Sequence, residues 1–96
     1  TMYLDLKRND SLKKIYSFLK KYYKNNKFIK ILKPNTFLGT NEVINTNNCH
    51  ISVCESKYKN KIIILSAIDN LIKGGSGQAV QNMNILFGYK SDEGLN

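Results

Sequence analysis

Residues able to do chemistry gather in two places. The first is the dipeptide Asp69-Asn70, followed closely by Lys73-Gly74-Gly75-Ser76-Gly77 and by the amides Gln78 and Gln81. Asp and Asn favour turns because their short side chains bond nearby backbone. An Asn amide can also donate and accept at once, and so match another amide. Three glycines so close together suit backbone that packs tightly on another surface or leaves room for a ligand. As a phosphate cradle they are weak. Gly75-x-Gly77 lacks a third glycine, since Val80 stands there, and no Walker pattern occurs. Close helix packing is the expected reason for them. The second place is Cys49-His50. Neighbours on a strand point to opposite faces, so this pair cannot work as a nucleophile and base. Cys49 and Cys54 make no disulfide framework and are expected to be reduced, packed thiols. His50 is expected at a surface or an interface.

The elements that must position these residues follow from periodicity. Ile62-Ile63-Ile64-Leu65 is a continuous β-favouring run that suits a strand covered on both faces, carried to the turn by Ser66, Ala67 and Ile68. Beyond the glycines, Ser76, Ala79, Val80, Met83 and Phe87 recur on one face of a helix, with Gln78, Gln81 and Asn82 on another. Gly88 is placed to end it as a C′ residue. Upstream, Met2 to Leu6 reads as a short strand, and Asn9-Asp10-Ser11 as a polar helix start. Leu12, Ile15, Tyr16, Leu19, Tyr22 and Tyr23 mark the inner face of that helix, with Phe18 at its edge and lysines opposite. Asn25-Asn26 ends it. Phe28 to Leu32 reads as a strand closed by Lys33-Pro34. Asn35 to Asn48 is a long loop with Val43 and Ile44 as anchors. Cys49, Ile51 and Val53 alternate with His50 and Ser52 as a half-buried strand. Ser56 to Lys61 turns the chain back into the Ile62 strand as an antiparallel hairpin. The tail Tyr89 to Asn96 is polar, and mobile or draped over the surface. The fold class expected is α+β, with helices on one face of a mixed or antiparallel sheet.

Composition bounds the partners. Ninety-six residues allow one small domain, too little for a dinucleotide domain plus a substrate domain. The net charge of +8 comes from 14 Lys and one Arg. Nucleic-acid recognition favours Arg for its planar fork. Lys, Asn and Ile, all with AT-rich codons, make 38 of the 96 residues. The charge therefore reads as codon bias on surface positions, and no nucleic-acid partner is expected. No apolar run reaches the ~20 residues of a membrane span, no membrane partner is expected, and the cytoplasm is the default location. The chain opens on Thr1 rather than Met, so a processed or truncated segment is as plausible as a complete protein.

The stretch Asp69 to Gly88, DNLIKGGSGQAVQNMNILFG, resembles the C-terminal signature of N-acetyl-gamma-glutamyl-phosphate reductases. That signature reads DNL, a hydrophobic residue, KG, two small residues, then GQAVQNMN. A shorter version is shared with aspartate-semialdehyde dehydrogenases, and the Gln78 and Gln81 to Asn84 pattern favours the former. Upstream the resemblance is looser. Tyr22 or Tyr23, Phe28-Ile29, Pro34 and the stretch Val43 to Cys49 match a tyrosine, a strand, a proline and a loop like V-x-G-S-N-x-C. Asn45 stands where that loop usually has glycine, and Asn tolerates the left-handed backbone better than most residues. Ser91 stands where the family usually carries a glutamate, with Asp92 and Glu93 as substitutes.

The resemblance implies an NADPH-dependent reductase of arginine biosynthesis that converts N-acetyl-glutamyl 5-phosphate to the semialdehyde and phosphate. It implies a cysteine nucleophile, a thioester and a histidine acid/base. The family's cysteine motif, like S-N-P-G-C-Y, and histidine motif, like H-x-P-E, do not occur in these residues. Residues 1–96 then correspond to the C-terminal portion of a glyceraldehyde-3-phosphate-dehydrogenase-like catalytic and dimerisation domain. The NADP-binding Rossmann domain lies outside the chain, and so do the catalytic residues. Implied partners are the rest of the reductase chain, further copies in a dimer or tetramer, and the small-molecule substrate. No metal site is expected. For Asn70 the resemblance implies contact with the nicotinamide carboxamide of NADP. The competing reading is that Asn70 only caps its turn. Gln78 and Gln81 face the active site on one reading and water on the other. Two alternatives stand beside the reductase: the C-terminal segment of an aspartate-semialdehyde dehydrogenase, and a non-catalytic basic interaction module.

Overall fold

Four strands and two helices are laid out in a computed structural model that describes every residue from Thr1 to Asn96. In chain order they are β1 (Met2–Asp5), α1 (Leu12–Tyr22), β2 (Ile29–Ile31), β3 (Cys49–Glu55), β4 (Lys61–Ile68), a π-helical turn (Ile72–Ser76) and α2 (Gly77–Leu86). The sheet runs β1-β4-β3-β2. The pairs β1–β4 and β3–β4 are antiparallel, and β2–β3 is parallel, so the sheet is mixed. This is the α+β class that the sequence predicts.

The hairpin forms because Ser56 closes it. Its hydroxyl donates to the Lys61 carbonyl at 2.7 Å and accepts the Tyr58 N–H at 3.1 Å. The resulting register sets Val53 against Ile64 and Glu55 against Ile62. One face of the sheet therefore carries Val53, Ile62 and Ile64, which bury against Leu12, Ile15 and Leu19 of α1. Helix α1 starts where the polar triplet predicts, with the Ser11 hydroxyl accepting the Lys14 N–H at 3.1 Å. Its outer face differs from expectation. Phe18 and Tyr22 stand exposed and stack on each other with centroids 5.8 Å apart. The helix already ends at Tyr22, before Asn25.

The opposite sheet face alternates against this one and carries His50, Ser52, Cys54, Ile63, Leu65 and Ala67. Part of it lies under the Pro34–Val43 loop. Cys54 donates its thiol to the Thr36 carbonyl at 3.7 Å, and Val43 is fully buried. Ile44, the other predicted anchor, is exposed. Ile63, Leu65 and Ala67 are only half-buried, since the helix packing on the sheet is that of α1 on the other side.

Helix α2 corrects the amphipathic reading. The residues that face the body are Gly77, Gln81 and Asn84, a polar line at helical spacing. Of the apolar stripe, Ser76, Ala79, Met83 and Phe87 point outward and only Val80 is half-buried; Leu86, beside the stripe, is 80% exposed. Hydrogen bonds rather than apolar burial dock this helix. Asn84 donates to the carbonyls of Glu93, at 2.9 Å, and Ser91, at 3.4 Å. Gly88 is left-handed with φ 75°, as its C′ position predicts. Its N–H and that of Tyr89 return to the carbonyls of Ile85 and Asn84. The tail drapes across the molecule. Asp92 pairs with Lys27, and the Asn96 carbonyl accepts the Asn47 N–H at 2.8 Å.

Candidate functional site

Strand β4 delivers Asp69 and Asn70 at its end, and the two residues have separate tasks. The Asp69 carboxylate accepts three backbone N–H groups, from Asn45 at 2.8 Å, Leu71 at 2.9 Å and Ile72 at 3.3 Å. The Asn45 bond, then those of Leu71 and Ile72, holds the Asp69 carboxyl below its usual range. Asn45 meets it with a left-handed backbone, φ 59°. The asparagine-for-glycine exchange noted above is thus accommodated in the way its conformational tolerance predicts. Asp69 is therefore the residue that caps the turn and ties it to the 43–48 loop.

Asn70 is exposed, and the side-chain hydrogen bonds of the turn run to Asp69 rather than to it. The capping reading of Asn70 fails on this point, because the neighbouring carboxylate satisfies the donors. Asn70 lines neither of the hollows beside it. One is formed by Asn45, Ile72, Gly77, Val80 and Leu95, the other by Leu38 to Thr40 with Leu65 to Ile68.

The glycine run forms a π-helical turn, with i to i+5 bonds from Gly74 to the Asp69 carbonyl and from Ser76 to that of Leu71. Gly75, at φ −145° and ψ −108°, breaks the helical path inside it, and the chain passes from strand direction into α2 across this kink. Lys73 reaches across it. Its ammonium donates to Gln81 Oε1 at 2.7 Å and sits 5.1 Å from the Phe28 ring centroid. Burial lowers the Lys73 pKa, with nearby Cys49 acting in the opposite sense. Gln81 Oε1 also accepts from Asn47 Nδ2 at 3.0 Å. Gln81 thus faces neither open water nor a cavity; it joins the loop, the π turn and α2. Gln78 pairs instead with Asn82 along the outer face, at 2.9 Å.

Cys49 and His50 lie on opposite sheet faces, as predicted, and both cysteines are free. Cys49 contacts the Ser66 hydroxyl at 3.4 Å. The surface reading of His50 is corrected. It is 8% exposed, with neither ring nitrogen bonded within the chain. Burial first, and then Lys30 alongside it, lowers its pKa, while Glu42 opposes. No group of three or more metal-binding side chains forms.

Sequence reasoning missed the Asn47–Gln81–Lys73 junction. Asn47 and Gln81 are 34 residues apart, and nothing local marks them as partners. The division of labour in Asp69-Asn70 carried a fainter signal, because an Asp that opens a turn tends to bond the N–H two residues on.

Residues 1–70 match the family described as semialdehyde dehydrogenase, dimerisation domain. Among curated relatives, N-acetyl-gamma-glutamyl-phosphate reductase of Thermoanaerobacter pseudethanolicus is 46% identical over 95 residues, covering 99% of this chain and 28% of the relative. The protein of the same name from Vesicomyosocius okutanii is 50% identical over 95 residues, with 99% and 26% covered. That from Clostridium botulinum is 45% identical over 96 residues, with 100% and 28% covered. The chain thus spans about a quarter of the length of these relatives and matches their C-terminal part.

Proposed function

This chain belongs to the semialdehyde dehydrogenase dimerisation-domain family, and we propose that it forms the C-terminal part of an N-acetyl-gamma-glutamyl-phosphate reductase. The reaction is the NADPH-dependent conversion of N-acetyl-L-glutamyl 5-phosphate to the 5-semialdehyde and phosphate, a step toward arginine in the cytoplasm. The relatives of that name, matched over almost the whole chain, support the assignment. They favour it over the aspartate-semialdehyde enzyme and over a basic interaction module.

Within that reaction the segment presents Asn70 to the cofactor. The observation that carries this is the free amide of Asn70, exposed beside an Asp69 that already satisfies the turn. An amide in that state can pair with a nicotinamide carboxamide, giving and receiving one hydrogen bond each. NADPH when bound supplies the hydride; Asn70 fixes which way the ring faces. Asp69 and the Asn47–Gln81–Lys73 junction keep Asn70 on a rigid base, as orientation at a reacting centre requires. Nucleophile and acid/base chemistry fall to the preceding part of the chain. Ile63, Leu65 and Ala67, on the sheet face away from α1, pair with a second copy.

The test is an assay of the protein made from the whole reading frame that encodes these residues. It is expected to oxidise NADPH with N-acetyl-glutamyl phosphate and not with aspartyl phosphate. Residues 1–96 alone are expected to show no turnover. Turnover by that segment, or preference for aspartyl phosphate, would sink the assignment.

A further inference from the structure

We infer that Gly74 is a positioning residue for the cofactor contact, and that its lack of a side chain is what allows the Asn70 amide to lie where it does; this rests on the Asn70 reading above. Two observations carry the inference. A Cβ built at position 74 would stand 2.6 Å from Asn70 Oδ1 and 3.4 Å from its Cγ, with Ile68 Cδ1 at 3.4 Å. Those three nearest atoms all belong to side chains. The backbone, meanwhile, gives no reason for glycine. Only Gly88 and Gly94 among the glycines have positive φ. The Gly74 N–H donates to the Asp69 carbonyl at 3.1 Å, a bond any residue but proline keeps. In a helical turn alanine is the better former.

Gly77, three residues on, is the contrast. There an added Cβ would meet Asn47 Oδ1 at 2.4 Å, Ile72 Cγ2 at 2.8 Å and the Ile72 backbone carbonyl at 2.9 Å. Relief at 77 must move the chain itself, whereas relief at 74 needs only a rotation of the exposed Asn70 side chain. The two glycines therefore serve different ends. Gly77 lets α2 seat on the loop, and Gly74 lets Asn70 fold back over the π turn. Since Asp69 carries the capping bonds, a displaced Asn70 leaves the fold intact and moves only the amide offered to the nicotinamide. Amide-to-amide pairing needs both groups in register, and small misplacements at a reacting centre are felt strongly.

The experiment uses the full-length reductase and four proteins: wild type, Gly74→Ala, Asn70→Ala and the double variant. Each is followed by thermal midpoint, by NADPH fluorescence titration and by kcat/KM for NADPH. Gly74→Ala is expected to melt with wild type, to bind NADPH more weakly and to lose about ten- to a hundred-fold in kcat/KM. In the Asn70→Ala background it is expected to add nothing. A lowered midpoint, wild-type cofactor kinetics, or losses that multiply in the double variant overturn the role of Gly74 while the Asn70 contact stands. Wild-type NADPH kinetics in Asn70→Ala overturn the contact, and this inference with it.

Discussion

At the residue scale, buried polar groups set the behaviour that solution experiments can read. His50 is the chain's single histidine, and burial and Lys30 depress its pKa below the ordinary 6.5. As pH falls through that value, the unfolded chain takes up the proton first. Stability is therefore complete above about pH 6.5 and declines as pH drops toward the lower folded value. Asp69 and Asp92, ordinarily at 3.8, are also depressed and act only at lower pH. Lys73, ordinarily at 10.5, acts only in the alkaline range. The thermal midpoint is expected to fall between pH 7 and 5, and His50→Gln to flatten that slope. Gly77→Ala is expected to destabilise by about 1–3 kcal/mol, through overpacking against the Ile72 carbonyl and Asn47. Urea unfolding measures it, and an unchanged midpoint would refute the close approach.

Among the elements, the two helices dock by opposite means. Helix α1 buries Leu12, Ile15 and Leu19 on Val53, Ile62 and Ile64. Helix α2 is held by Gly77 and by the amides of Gln81 and Asn84. In Gln81→Ala, Asn47 Nδ2 and Lys73 Nζ both lose their acceptor. Leaving part-buried donors unpaired costs about 1–3 kcal/mol. Hydrogen exchange should locate the loss, with protection falling in the 43–48 loop and in α2 together while the β3–β4 hairpin keeps its own. Uniform loss across the sheet would mean that the junction is not local.

Considered whole, the chain is extended, with dimensions of 45 × 26 × 18 Å. Its accessible surface is 7183 Å², against about 5,600 Å² expected for a compact monomer of 11.0 kDa. The excess is comparable to one side of two standard protein–protein contacts. Apolar side chains contribute to that excess: the exposed Met83 and Leu86 on α2 with Phe87 just past its end, and the half-buried Ile63, Leu65 and Ala67 on the sheet. Our pairing proposal places the second set between copies. Leu65→Lys in the full-length protein is then expected to shift its sedimentation to a smaller species without lowering α1 helicity. Unchanged sedimentation would move the subunit contact elsewhere.

Much of this protein was legible from residues alone. The β3–β4 hairpin, the Ser11 start of α1, the Gly88 stop and the left-handed Asn45 all follow from short-range rules, because caps, turns and alternation act over a few residues. The signature Asp69 to Gly88 likewise pointed to the family, since it fills contiguous positions. Other features depended on contacts that sequence order does not encode. The inner face of α2 proved polar because its partners are the tail carbonyls and Asn47. His50 proved buried because the Pro34–Val43 loop, which brings Glu42 near it, crosses its face of the sheet. Asn70 proved free because Asp69 takes the donors at the same bend. Local periodicity fixes which side chains share a face; only the packed chain decides which face turns inward.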